Sequence, residues 1–298
     1  MSDNLPIVVE VDASDKLSFA SRQQADSDHH LVALWIGRHS SLHTRRNYQR
    51  QADRFLGFVR CPLAEVRIGD LQAYIASLDG LAVGTRAAMV AAVKSLLSFG
   101  QEIGYLRVNV GKAVKAPPVK NTLAERIMAE ADAMLMLRLE PLPRNRALLT
   151  LLYGGGLRVS EACGLRWRDL APRDGAGQAT VFGKGGKTRV VLLSANTWGM
   201  LAAIRGEARS DDPVFRSRKA GHLDVSAVHR LVKVAAARAG LSEDVSAHWL
   251  RHAHASHSLD RGAPLSLVKD TLGHASVATT GRYLHARPSD SSSRYLGI

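Results

Sequence analysis

The sequence predicts a mainly α-helical protein of two domains, the second carrying a small antiparallel sheet. Three observations predict it. Apolar residues recur at three- and four-residue steps over most of the chain. A lysine-flanked proline pair, Lys115-Ala-Pro-Pro-Val-Lys-Asn-Thr122, interrupts that pattern. One later stretch reads instead as strand, turn and strand. At 298 residues and 46% hydrophobic, the chain can bury two cores.

Residues 1–27 are polar, acidic and aperiodic apart from Ile7–Val9, and are expected to form a flexible acidic arm. A helical domain is expected over 28–114. Leu31, Leu34 and Trp35 open the first pattern. Tyr48, Ala52, Phe55, Leu56 and Val59 carry the second, with Arg45, Arg46, Arg50 and Arg54 interleaved. A short helix is expected over 69–78 and a longer one over 85–103. Residues 115–122 read as the linker, stiffened by the two prolines. Within the second domain, 123–298, Ala179–Phe182 and Thr188–Leu193 flank the turn Gly183-Lys-Gly-Gly-Lys187 and predict a β-hairpin. Helices are expected over 194–208, 224–239, 246–260, 264–272 and 276–286, followed by a loose serine-rich segment over 289–293.

A net charge of +13 favours an anionic partner, by steering and by counterion release from phosphates. Nucleic acid and acidic membrane surfaces both answer that description. The excess of base lies beyond residue 30, since residues 1–30 hold six acids against Lys16 and Arg22. Cys61 and Cys163 are the only cysteines, far apart and without metal-ligand spacing, so no disulfide framework is expected and a reducing compartment fits. No leader pattern and no apolar run of membrane-spanning length is legible, so a cytoplasmic protein without a membrane partner is expected.

Several polar residues stand where chemistry can be done. Arg158 follows Gly154 to Gly156, where a loop feeds a helix, and a guanidinium there can grip two phosphate oxygens. Glu161 can hold it from behind, or the two form an ordinary surface pair. His248 and Arg251, three apart, share a helical face, and their pairing suits a phosphorane: Arg balances charge while His donates a hydrogen bond or moves a proton. A helix merely rich in His and Arg is the alternative. His274 follows Gly273 at a helix end. Tyr283 lies nine residues on. Its hydroxyl is a poor nucleophile at its ordinary pKa near 10, and nearby arginines would favour the phenolate; a packing aromatic is the alternative. Lys184, on the hairpin turn, can reach a neighbouring cleft and protonate a leaving oxygen, or be solvated. The turn lacks the spacing of a nucleotide-binding loop. His248 and His252 could bind a metal, but only Asp260 offers a third ligand, so neither metal nor other cofactor is expected.

The ordered set resembles the catalytic domain of the tyrosine recombinase, or phage integrase, family, of the Xer-like kind. Five stretches carry the resemblance: Gly-Leu-Arg-Val-Ser-Glu at 156–161, Gly-Lys-Gly-Gly-Lys-Thr-Arg at 183–189, His-Trp-Leu-Arg-His at 248–252, Leu-Gly-His at 272–274 and Thr-Thr-Gly-Arg-Tyr-Leu-His at 279–285. It covers 123–287 closely. Residues 28–114 resemble the family's SAM-like core-binding domain more loosely, with Asn109-Val110 where Asn-Pro is common.

The resemblance implies a site-specific DNA recombinase or integrase working through a 3′-phosphotyrosyl intermediate. Arg158 and Arg251 would clamp the scissile phosphate. Lys184 would be the general acid for the leaving 5′-hydroxyl. His248 would assist proton transfer, His274 would bond the phosphate and Tyr283 would attack phosphorus. The implied partners are double-stranded DNA, gripped between the two domains, and three further copies in a tetramer on DNA, or a second recombinase. Arg45, Arg46, Arg50, Arg86, Lys94, Lys115 and Lys120 are candidate phosphate contacts. A DNA-binding regulator that does not cut, or a type IB topoisomerase-like enzyme, would share much of this pattern. Tyr295 lacks the Thr-Thr and His context of Tyr283.

Overall fold

The computed structural model describes residues 24–183 and 186–286. The arm up to residue 23, Lys184, Tyr295 and the serine-rich segment lie outside the described residues. The chain divides into two compact units, Met1–Lys120 and Asn121–Ile298.

The first unit contains α1 (Asp28–Gly37), α2 (Leu42–Val59), α3 (Ile68–Ala76) and α4 (Val83–Glu102), then a 3-10 turn at Val110–Ala113. Ser27 and Ser41 cap α1 and α2 by accepting the backbone N–H of His30 and Thr44. Leu31, Trp35, Phe55, Leu71, Tyr74 and Leu96 fill the core, and Trp35 stacks on Tyr48 with ring centroids 4.6 Å apart. The Asp28 carboxylate accepts the Tyr105 hydroxyl (2.8 Å) and the Leu63 N–H (3.0 Å), tying the start of α1 to two distant loops. Arg46, Arg50 and Arg54 remain exposed on α2. Two of the expected phosphate contacts are engaged within the unit: Arg86 pairs with Asp79 at 3.0 Å, and the Lys94 ammonium donates to the Val114 carbonyl.

The second unit begins with α5 (Glu130–Arg138), α6 (Pro143–Gly154) and α7 (Val159–Gly164). A three-stranded antiparallel sheet follows, β1 (Leu170–Arg173), β2 (Ala176–Phe182) and β3 (Thr188–Leu193), paired in that order. Then come α8 (Ala195–Arg205), α9 (Val225–Arg238), α10 (Ala247–Asp260), α11 (Leu265–Leu272) and α12 (Val277–Ala286). The five helices expected after the hairpin all form, each starting one residue inside the expected range and ending at most three residues inside it. The hairpin also forms, in the register Phe182↔Thr188 and Val181↔Arg189.

Three elements were not individually foreseen, each for a physical reason. Helix α6 is apolar around most of its circumference, with Ala147 to Leu152 all buried, so it shows no amphipathic period. Helix α5 is a short amphipathic helix of nine residues, a length at which periodicity says little. Strand β1 is a four-residue edge strand containing Pro172, where a missing N–H costs no ladder bond. In the turn to β2, Asp174 and Gly175 both adopt positive φ (49° and 72°), as a tight hairpin requires.

Helix α10 is the axis of this unit. It packs against α5, α6, α9, α11 and α12, and buries Leu250, Arg251, His252, Ala253, Ala255, Ser256 and His257. A helix covered on so many sides must satisfy its polar groups internally, and how it does so shapes the site. Among the described residues, no helix is long and apolar enough to cross a membrane.

Candidate active site

The site is organised from beneath by one carboxylate. Arg158 stands at the head of α7, and its own N–H donates to Glu161 Oε2 at 2.8 Å while its Nη1 donates to Oε1 at 2.8 Å. From β3, Arg189 donates to the same two oxygens, Nη1 to Oε1 at 2.9 Å and Nη2 to Oε2 at 2.8 Å; its Nε reaches the Thr271 carbonyl at 2.7 Å. Arg251 Nη1 lies 4.0 Å from Glu161 Oε2. Burial alone would raise the Glu161 pKa, but hydrogen bonds from Arg189 and Arg158 outweigh it and hold the carboxyl at about 2. One buried anion thus gathers three guanidiniums whose mutual repulsion would otherwise scatter them.

Arg251 is only 2% exposed. It donates to the carbonyls of Gly156 (2.5 Å) and Leu272 (2.6 Å), so its fork is fixed by backbone from the loop before α7 and from the last turn of α11. Gly156 offers that carbonyl from a left-handed conformation, φ +59°, with the His254 ring directly behind it. Burial, and then Arg158, bring the Arg251 pKa down to about 10, which still leaves it charged at neutral pH.

One turn before Arg251, His248 lies exposed on α10. Local desolvation and the cations Arg251, Arg158 and Arg126 hold its imidazole below the usual range. His274 follows Gly273, the left-handed cap of α11, and its Nδ1 lies 2.9 Å from Thr280 Oγ1 on α12. Burial, then Arg251, Arg158 and Arg189, lower His274 to about 4, so it is neutral at physiological pH. Arg158, Gly183, Lys187, Arg189, His274 and Thr279 line an open cleft of about 430 Å³. A cleft with this much positive charge and neutral imidazole at its wall suits a phosphate group.

The Tyr283 side chain is buried between α10 and α12, 6% exposed. Its hydroxyl lies 2.7 Å from His252 Nδ1. Burial raises the phenol's pKa, against the pull of Arg251 and Arg282. Of the six residues expected to act, Arg158, His248, Arg251 and His274 lie close enough to shift one another's pKa values, Tyr283 is buried on α12 within the field of Arg251, and Lys184 lies outside the described residues. The turn that carries Lys184 closes through the Gly183 N–H donating to the Lys187 carbonyl at 2.7 Å.

Three further residues shape the site. Arg189 carried a signal, since strand alternation places it on the inward face with Val191 and Leu193, where a charge needs a buried partner. His252 and Thr280 carried none, because their roles depend on which helices meet. Among the described residues, no group of three or more His, Cys, Asp or Glu is arranged to hold a metal ion.

Two family models match the chain. The phage integrase family model covers residues 120–290, and the model of the phage integrase N-terminal SAM-like domain covers 28–102. The chain belongs to the phage integrase family. This tyrosine recombinase is 34% identical to tyrosine recombinase XerC of Rhodospirillum centenum, over 90% of its own length and 85% of that protein. It is 33% identical to tyrosine recombinase XerC of Brucella suis, over 85% and 87%. The same fold occurs in a lambda integrase tetramer bound to a Holliday junction (TM-score 0.71, 16% identity, covering 90% of this chain and 80% of that one). It occurs also in the XerH site-specific recombinase bound to difH substrate before cleavage (TM-score 0.69, 22% identity, covering 91% and 83%).

Proposed function

We propose that this Xer-like tyrosine recombinase cuts and rejoins DNA at specific sites, with Tyr283 as its nucleophile. The observation that carries the reading is the cationic cleft. Arg158, Arg189 and Arg251 converge on Glu161 beside neutral His274, and the one tyrosine in the matching sequence context lies on the adjoining helix.

The chemistry follows from these groups. A scissile phosphate in the cleft meets Arg158 at the surface and the positive field of Arg251 and Arg189 beneath it, which stabilises the extra charge of a phosphorane. His274 has its Nδ1 engaged by Thr280, so Nε2 is the nitrogen left for a phosphate oxygen. Tyr283 Oη bonds to phosphorus as the bond to the 5′-oxygen breaks. The phenol proton leaves with assistance from His248, and Lys184 supplies the proton to the departing 5′-oxygen. One phosphoester replaces another, so a second 5′-hydroxyl can reverse the step on a different strand without an external energy source.

In this reading 28–114 is the core-binding domain, 123–298 the catalytic domain and double-stranded DNA the partner. The basic excess of the chain and the DNA-bound neighbours of the same fold support it. A tetramer on DNA is proposed by likeness to the lambda integrase assembly, and a cytoplasmic location by the partner.

The test is covalent capture. The purified protein is mixed with a nicked duplex drawn from DNA flanking its gene, without added metal or ATP, and resolved on a denaturing gel. A protein–DNA band present in the wild type and absent in Tyr283→Phe is the expected result. A band that persists in Tyr283→Phe overturns the assignment and points to Tyr295. Tight DNA binding without any band points to a binder that does not cut.

A further inference from the structure

The Tyr283 hydroxyl is bonded across the α10–α12 interface to a histidine that the proposed mechanism does not use. The donor–acceptor distance is 2.7 Å, both side chains are buried (6% and 9% exposed), and the ring centroids are 5.6 Å apart. The far side of the His252 ring is covered by His248, edge to face at 4.2 Å.

We infer that His252 is a positioning residue that parks the nucleophile: its Nδ1 accepts the Tyr283 hydroxyl hydrogen and holds the phenol, still protonated, in its buried seat between α10 and α12. The inference rests on the reading of Tyr283 as nucleophile. An acceptor at Nδ1 requires the neutral ring with its hydrogen on Nε2. The surroundings enforce the neutral ring. Burial, then His248 on the same helix, Arg126 ahead of α5, Arg251 beside it and Arg282 on α12 together bring His252 to about 3. A ring so averse to a proton is a poor base for a phenol, so the bond stabilises the protonated tyrosine rather than the phenolate. Attack therefore needs the bond broken and the segment moved.

The segment is built to allow it. Gly281 lies between Thr280, which holds His274, and Tyr283, which is held by His252; a Cβ at Gly281 would meet nothing within 4 Å, so packing does not require the glycine. A glycine there weakens the helix where the tyrosine must swing.

The first test needs no DNA. Tetranitromethane nitrates accessible tyrosine, and peptide mass spectrometry of the full-length protein reads Tyr283 against Tyr48 in the same sample. His252→Phe keeps a ring but removes the acceptor, and Tyr283 should nitrate about five- to tenfold faster than in the wild type, the weight of one neutral hydrogen bond. His252→Asn returns an acceptor near the Nδ1 position and should restore slow nitration. With nicked duplex at saturating concentration, His252→Phe should form the covalent complex faster than the wild type, while Tyr283→Phe forms none.

Equal nitration rates in wild type and His252→Phe, or slower covalent capture by His252→Phe, overturn the parking role. If the ring replacement does not fold, nitrogen NMR on the folded Tyr283→Phe protein decides. The His252 Nδ1 resonance must move when the hydroxyl is removed, and an unmoved resonance overturns the bond. Cleavage that survives Tyr283→Phe would sink the nucleophile assignment alone, leaving the nitration result intact.

Discussion

Glu161 and Arg189 meet in a two-pronged ion pair, with side chains 3% and 12% exposed, that joins the head of α7 to the inward face of β3. Arg158 shares the same carboxylate. The hairpin is thereby fastened to the loop that presents Arg158, and the Arg189 Nε bond to Thr271 extends the tie to α11. Three separate segments take their relative positions from one acid.

That acid should make the protein sensitive to low pH. Its folded pKa of about 2 lies below the ordinary 4.5, so its contribution is present above about pH 4.5 and is lost as pH falls toward 2. The shift corresponds to about 3 kcal/mol. Urea unfolding of wild type and Glu161→Gln at a series of pH values should show a stability gap at neutral pH that closes through this window. A gap that does not change with pH would mean the carboxylate is not the group being protonated.

The histidines act in a higher window. His252 (about 3), His254 (about 4) and His274 (about 4) all lie below the ordinary 6.5, chiefly because burial disfavours their cations. The unfolded chain therefore binds protons first. Their stabilisation is complete above about pH 6.5 and declines as pH falls toward 4, so acid unfolding should begin before any carboxylate titrates. His254→Asn should reduce the proton uptake on unfolding near pH 5 by about one proton, measured as the slope of stability against pH.

Gly156 is constrained twice. Its φ of +59° is costly for any other L-residue, and a Cβ would sit 2.6 Å from His254 Cδ2. The backbone alone costs about 1–2 kcal/mol in Gly156→Ala, and the ring contact adds to it. Because the Gly156 carbonyl holds Arg251, covalent complex formation should fall more than stability does. Thermal melting and gel capture on the same preparation separate the two effects.

Gly281→Ala offers the opposite combination. With open space for the added methyl, it should stabilise α12 by about 1 kcal/mol while slowing covalent complex formation, since Tyr283 must leave a stiffer helix. A higher melting temperature with unchanged cleavage would show that the looseness of this segment has no part in the reaction.

By itself the sequence determined the mainly helical class, the hairpin, the five later helices and four residues that come together in the fold. Each of those rests on a local pattern: a helical period, strand alternation, or Arg158, His248, Arg251 and His274 standing in recognisable short stretches. Helix α6 and strand β1 were not legible, because full burial erases the first pattern and four residues with Pro172 obscure the second. Only the tertiary structure decided that Glu161 holds two further arginines besides Arg158, and that Tyr283 rests on His252, thirty-one positions away. Those relationships depend on which faces of α7, β3, α10 and α12 meet, and hydrogen-bond geometry across a packed interface is a property of the assembled core that no single segment carries.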